Sequence, residues 1–91
     1  MTGVDSLISI VIPVWNEEHY LSRLLKSLHE CPLVGEIIIV DNNSVDDTLK
    51  IAQEYNCQIF QGSTPAKSRN IGFTHSVNQI VVFMGTVRNF V

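Results

Sequence analysis

Residues 7–30 read LISIVIPVWNEEHYLSRLLKSLHE, and two periodicities meet in them. The first eight residues are β-branched and apolar almost without interruption, the pattern of a strand covered on both faces. From Leu21 the spacing changes. Leu21, Leu24, Leu25 and Leu28 recur at helical intervals and form one apolar stripe. Between strand and stripe lie Asn16, Glu17 and Glu18. Asn is a favoured N-cap and acids in a first turn suit the helix dipole, so the spacing predicts a helix over 17–30. Cys31, Pro32 and Gly35 end it.

The alternation continues outward from there. EIIIVD, residues 36–41, is a second buried strand, and Asp41-Asn42-Asn43-Ser44 is turn chemistry. Ser44 and Asp47 have capping-box spacing, and Leu49, Ile51, Ala52 and Tyr55 predict a helix over 45–55. A short strand over 57–60 leads into a loop, where Thr64 reads as an N-cap and Pro65 as the first helical residue. Ala66, Ile71, Phe73 and Val77 mark a third helix, and QIVVFM, residues 79–84, a fourth strand. The order is βαβαβαβ. Crossovers of this length join parallel neighbours right-handedly, which predicts an α/β domain spanning residues 1–91: an open, mostly parallel sheet with helices on both faces.

Composition narrows the function. With 45% apolar and 16% charged residues the chain is that of a folded domain rather than a disordered tail. A net charge of −3 without any basic run argues against a nucleic-acid groove. The apolar runs are too short for an integral membrane segment, and no basic stretch precedes the first of them as in a signal peptide. Cys31 and Cys57 have no metal-ligand spacing and read as reduced, partly buried thiols of a cytoplasmic protein.

In open parallel sheets ligands bind beyond the carboxyl ends of the strands. That rule selects residues 13–17, 41–44, the loop after the third strand, and 85–87. Asp41, Asn42 and Asn43 can accept from and donate to a base edge or a ribose hydroxyl, or can simply shape the turn. Trp15 can stack on a base or sugar, or pack the sheet edge. Asp46 and Asp47 read as first-turn acids rather than metal ligands. Lys67, Arg69 and Asn70 can meet a diphosphate at a helix start, or form a solvated face. His19, His29 and His75 read as ordinary surface or cap residues. No GxGxxG, GxxxxGK[ST] or GxSxG is present, which weakens dinucleotide, P-loop and hydrolase readings.

Taken together, ISIVIPVWNEEHYLSRLLKSL, EIIIVDNNSVDDTLKIA, AKSRNIG and QIVVFM resemble the opening of a family 2 glycosyltransferase. The resemblance covers nearly the whole chain. It implies the Rossmann-like half of a glycosyltransferase A-type fold, binding a nucleotide-diphosphate sugar. Carried over by position, Pro13, Trp15 and Glu17 would line the nucleoside pocket, Asp41 and Asn42 would sit at the base, and Arg69 near base and diphosphate. Asn42 stands where the family often has Asp, and Ser68 replaces the usual Ala. The fourth block departs further. The family has Asp-x-Asp after this strand to hold a divalent cation (Mg or Mn) for the donor, and Gly85-Thr86-Val87 stand there instead. No metal ligand and no catalytic residue is therefore assigned to this chain. The acceptor half and catalytic base of the family are also missing, so the resemblance implies a truncated, donor-binding segment of an inverting sugar transferase, inactive alone. A location peripheral to the membrane fits a family that often serves lipid-linked acceptors. The alternative is a non-catalytic α/β interaction module. In either case an uncovered fourth strand predicts self-association or a partner along the exposed sheet edge.

Overall fold

The computed structural model describes residues 8–78 and 80–85. Seven elements alternate: β1 (Ile8–Val14), α1 (Leu21–His29), β2 (Val34–Asp41), α2 (Thr48–Glu54), β3 (Gln58–Gln61), α3 (Pro65–His75) and β4 (Ile80–Phe83). All strand pairs are parallel, and the sheet order is β3-β2-β1-β4. The strands therefore end at a common carboxyl rim, and the chain turns back across β1 to place β4 on its far side.

Side-chain alternation divides the core into two layers. Ile10, Ile12, Val14, Ile37 and Ile39 face α1 and α2, where they meet Leu21, Leu25 and Ala52. Val11, Ile38 and Val40 face the other way, with Phe60, Ile71 and Val81 against them. The second layer lies beneath α3, which approaches closely at Gly72: a Cβ there would run into the side chain of Val11. Helices thus cover both faces, as right-handed crossovers require once the strand order reverses.

Both predicted helix starts move inward. The first helix begins at Leu21, not at 17, with Tyr20 at its N-cap and no acid in its first turn. Asn16 is not a cap: it takes a left-handed conformation, φ 52°, which Asn tolerates better than other side chains. The second begins at Thr48, not at 45. Its N-cap, Asp47, makes no side-chain capping bond, so the Ser44–Asp47 capping box does not form and Asp46 and Asp47 precede the first turn. The third helix starts as predicted, with the Thr64 hydroxyl accepting from the Lys67 N–H. Cys57 is partly buried and burial pushes its thiol up to about 11, while Cys31 is exposed rather than partly buried.

The two sheet edges differ. On β3, Gln58 and Gln61 are the exposed residues; on β4 they are Ile80 and Phe83. No helix among the described residues is long and apolar enough to cross a membrane.

Candidate functional site

The carboxyl rim is laced together by backbone. Val14 lies opposite Asp41 in the β1–β2 register. One residue further, the Asn42 N–H donates to the Val14 carbonyl at 2.9 Å and the Gly62 N–H to the Asp41 carbonyl at 2.8 Å. Three strand ends are thereby held at one level. Trp15 follows directly and is 54% exposed.

The β1–α1 and β2–α2 loops are joined by reciprocal hydrogen bonds. The Asn16 N–H donates to Ser44 Oγ at 2.9 Å, and Asn16 Oδ1 accepts from the Val45 N–H at 2.8 Å. The Glu17 N–H donates to Thr48 Oγ1 at 2.7 Å. The Glu18 N–H donates to Asp46 Oδ2, and Glu18 Oε1 accepts from the Asp47 N–H. Asp46 Oδ1 in turn accepts from both the N–H and the hydroxyl of Thr48. Partial burial by itself raises the Asp46 carboxyl, but the hydrogen bonds from Thr48 and the Glu18 N–H outweigh it and hold it below the ordinary value of 3.8. Asn16, Ser44, Asp46 and Thr48 thus build the rim. Their pairing across 28–31 residues leaves no local signal in the sequence.

Asp41 and Asn42, adjacent in sequence, diverge in space. Asp41 is buried at 3% exposure. Its Oδ2 accepts from the Ser44 N–H at 3.1 Å, while its Oδ1 is enclosed with no hydrogen-bond partner among the described residues. Asn42 turns toward α3, where its Oδ1 accepts from the fully buried Ser68 hydroxyl at 2.7 Å. Gly62 seals this contact, since a Cβ there would overlap Ser68 Oγ and Asn42 Oδ1. Arg69 follows Ser68. It lines a crevice of about 280 Å³ with Pro13, Phe83, Met84 and Gly85. The crevice opens between the ends of β1 and β4, at the point where strand order reverses and open α/β sheets bind ligands.

All six residues singled out from sequence therefore stand on one rim, in distinct groups. Pro13 and Arg69 share the crevice. Asn42 is tied to the residue before Arg69. Glu17, buried, is bonded through its backbone to Thr48 at the start of α2. Ser68, Gly62 and Thr48 are the supporting residues that sequence reasoning passed over. Ser68 stood out only as a departure from a family pattern.

The described residues do not fit a divalent cation. Among the described residues no group of three or more His, Cys, Asp or Glu could hold a metal ion. Both oxygens of Asp46 are engaged, and Gly85 brings no side chain to the end of β4. Thr86 and Val87, the rest of the predicted departure from Asp-x-Asp, lie outside the described residues. A hollow of about 150 Å³ at the amino ends of the strands, lined in part by His29, Glu36 and Tyr55, is remote from this rim. Its His29 is engaged with the Tyr55 carbonyl and stacks on the Tyr55 ring.

An open parallel sheet with polar groups gathered at its switch point is the architecture of ligand-binding α/β proteins. The sequence profile of Glycosyl transferase family 2 matches residues 9–85, and the chain belongs to that family. It is 34% identical over 86 residues to 4,4'-diaponeurosporenoate glycosyltransferase of Staphylococcus haemolyticus, covering 85% of this chain and 23% of that one. The crystal structure of Staphylococcus aureus TarS 1–349 superposes with a TM-score of 0.76 at 31% identity, over 86% of this chain and 26% of that one. Glucosyl-3-phosphoglycerate synthase of Mycobacterium tuberculosis, in complex with Mn2+, UDP-glucose and phosphoglyceric acid, shares the fold with a TM-score of 0.79 at 24% identity, over 89% and 33%. The chain thus spans between about a quarter and a third of the lengths of these proteins.

Proposed function

We propose that this chain is the donor-binding part of a glycosyltransferase and takes the nucleoside diphosphate end of a nucleotide sugar at its carboxyl rim. The observation that carries the reading is Asp41 Oδ1, a buried carboxylate oxygen without a hydrogen-bond partner among the described residues. Enclosing such an atom is costly unless a donor meets it. A base N–H or a ribose hydroxyl supplies that donor. Trp15, exposed and next to Val14, the register partner of Asp41, would offer a stacking plane, and Pro13 and Glu17 would form the walls. Arg69, in the first turns of α3, stands where a helix N-terminus and a guanidinium together attract a diphosphate.

Sugar transfer to a hydroxyl with inversion needs a base for the acceptor proton and a positive charge against the leaving diphosphate. No residue described here is assigned either task apart from Arg69, which can address the diphosphate. Residues supplying those tasks would join along the apolar edge of β4, where Ile80 and Phe83 are exposed.

The test is calorimetric titration of the 91-residue chain with uridine diphosphate, beside Asp41→Asn. The reading expects saturable binding that weakens about tenfold or more in the variant, the worth of a charged hydrogen bond. Equal binding by both proteins contradicts the assignment of Asp41.

A further inference from the structure

The contact between Ser68 and Asn42 decides something that neither residue decides alone. A carboxamide has two unlike edges, an acceptor at Oδ1 and a donor at Nδ2. Ser68 is fully buried in the first turns of α3, and its hydroxyl donates to Asn42 Oδ1 at 2.7 Å. Turning the amide over would set Nδ2 against Ser68 Oγ and leave the buried hydroxyl proton without this acceptor. Gly62 closes the space behind the pair, because a side chain there would overlap both oxygens. Its own N–H is fixed on the Asp41 carbonyl at 2.8 Å. The arrangement leaves Asn42 Nδ2 as the free edge of the amide, engaged by no described residue.

We infer that Ser68 is a positioning residue for nucleobase selection: it holds Asn42 with its N–H edge toward the ligand, so that this position favours a base presenting an unprotonated ring nitrogen over one whose ring nitrogen carries a proton. The inference rests on the nucleotide reading above and deepens it. Ser68 itself touches no ligand. Its effect passes through the orientation of Asn42.

Cytidine and uridine diphosphates separate the possibilities, because the ring N3 of cytosine is an acceptor and that of uracil carries a proton. The readout is the ratio of their dissociation constants, measured by calorimetry for the unmodified chain, Ser68→Ala and Asn42→Asp. Asn42→Asp offers only acceptors and should move the ratio toward uridine about tenfold, the worth of one hydrogen bond reversed in sense. Ser68→Ala frees the carboxamide to present either edge and should move the ratio part of the way in the same direction. The double variant should match Asn42→Asp. Thermal melting run in parallel isolates folding: loss of stability alone lowers both affinities together and leaves the ratio unmoved. Binding of both nucleotides by Ser68→Ala at the unmodified ratio overturns the inference while sparing the nucleotide reading. Absence of binding to either nucleotide by the unmodified chain overturns that reading and this one with it.

Discussion

Strand β2 carries a carboxylate near each end, and the two are treated differently. Glu36, near the amino end, accepts from Ser9 Oγ at 2.5 Å, Gln58 Nε2 at 2.7 Å and the Val77 N–H at 2.7 Å. Ser9 in turn accepts from the backbone and side-chain nitrogens of Asn78. Both of its oxygens are engaged, and three strands and the α3–β4 connection are tied together. Partial burial raises this carboxyl, yet the hydrogen bonds outweigh it and hold it below the ordinary value of 4.5. Asp41, at the carboxyl end, has one oxygen on Ser44 and the other with no partner among the described residues. One end of the strand is closed scaffold, and the other leaves one carboxylate oxygen unengaged by any described residue, the acceptor that the proposed nucleotide reading uses.

The largest effect should come from breaking the closed end. Glu36→Ala leaves the fully buried Ser9 hydroxyl and the Val77 N–H without their acceptor. Urea unfolding should report a loss of about 2–3 kcal/mol, with nucleotide affinity unchanged. Next is Thr48→Val, which keeps the shape but deprives the Glu17 N–H and Asp46 of a partner. It should lower stability by about 1–2 kcal/mol and also weaken nucleotide binding, because the two loops it joins form the rim.

Acid sharpens the same contrast. A carboxyl with a depressed folded value stabilises the native state above its unfolded value, and that stabilisation disappears as pH falls through the folded value. Glu36 and Asp46 both have this sign. Stability should therefore decline as pH drops below about 4.5, and Glu36→Gln should flatten the decline in urea melts at a series of pH values. The smallest effect on folding belongs to Trp15→Ala. The ring is more than half exposed, so the melting transition should shift by no more than about 0.5 kcal/mol equivalent. Nucleotide affinity should fall by about 1–3 kcal/mol for the lost stacking.

The parallel core was legible because its signal is local. LISIVIPV and EIIIVD are apolar on both faces, and such strands pair in parallel under helices. Thr64-Pro65 was legible for the same reason, as a cap and first turn contained in two residues. The helix starts misled because Asn16 and Ser44 each looked like a local cap. Each instead bonds across to the other loop, a partnership that only the tertiary fold creates. Asp41, Pro13 and Arg69 could be placed on one rim from strand polarity alone. That Asp41 is half-engaged, and that Asn42 leans on Ser68, needed side-chain geometry.

Chemical-shift mapping of the 91-residue chain with uridine diphosphate tests the difference between the two ends most directly. The account predicts saturable shifts at Trp15, Asp41, Asn42 and Arg69, with the amides of Ser9, Glu36 and Val77 unmoved. No shift at about millimolar ligand, the weak limit of specific binding, contradicts it, as do shifts centred on Glu36.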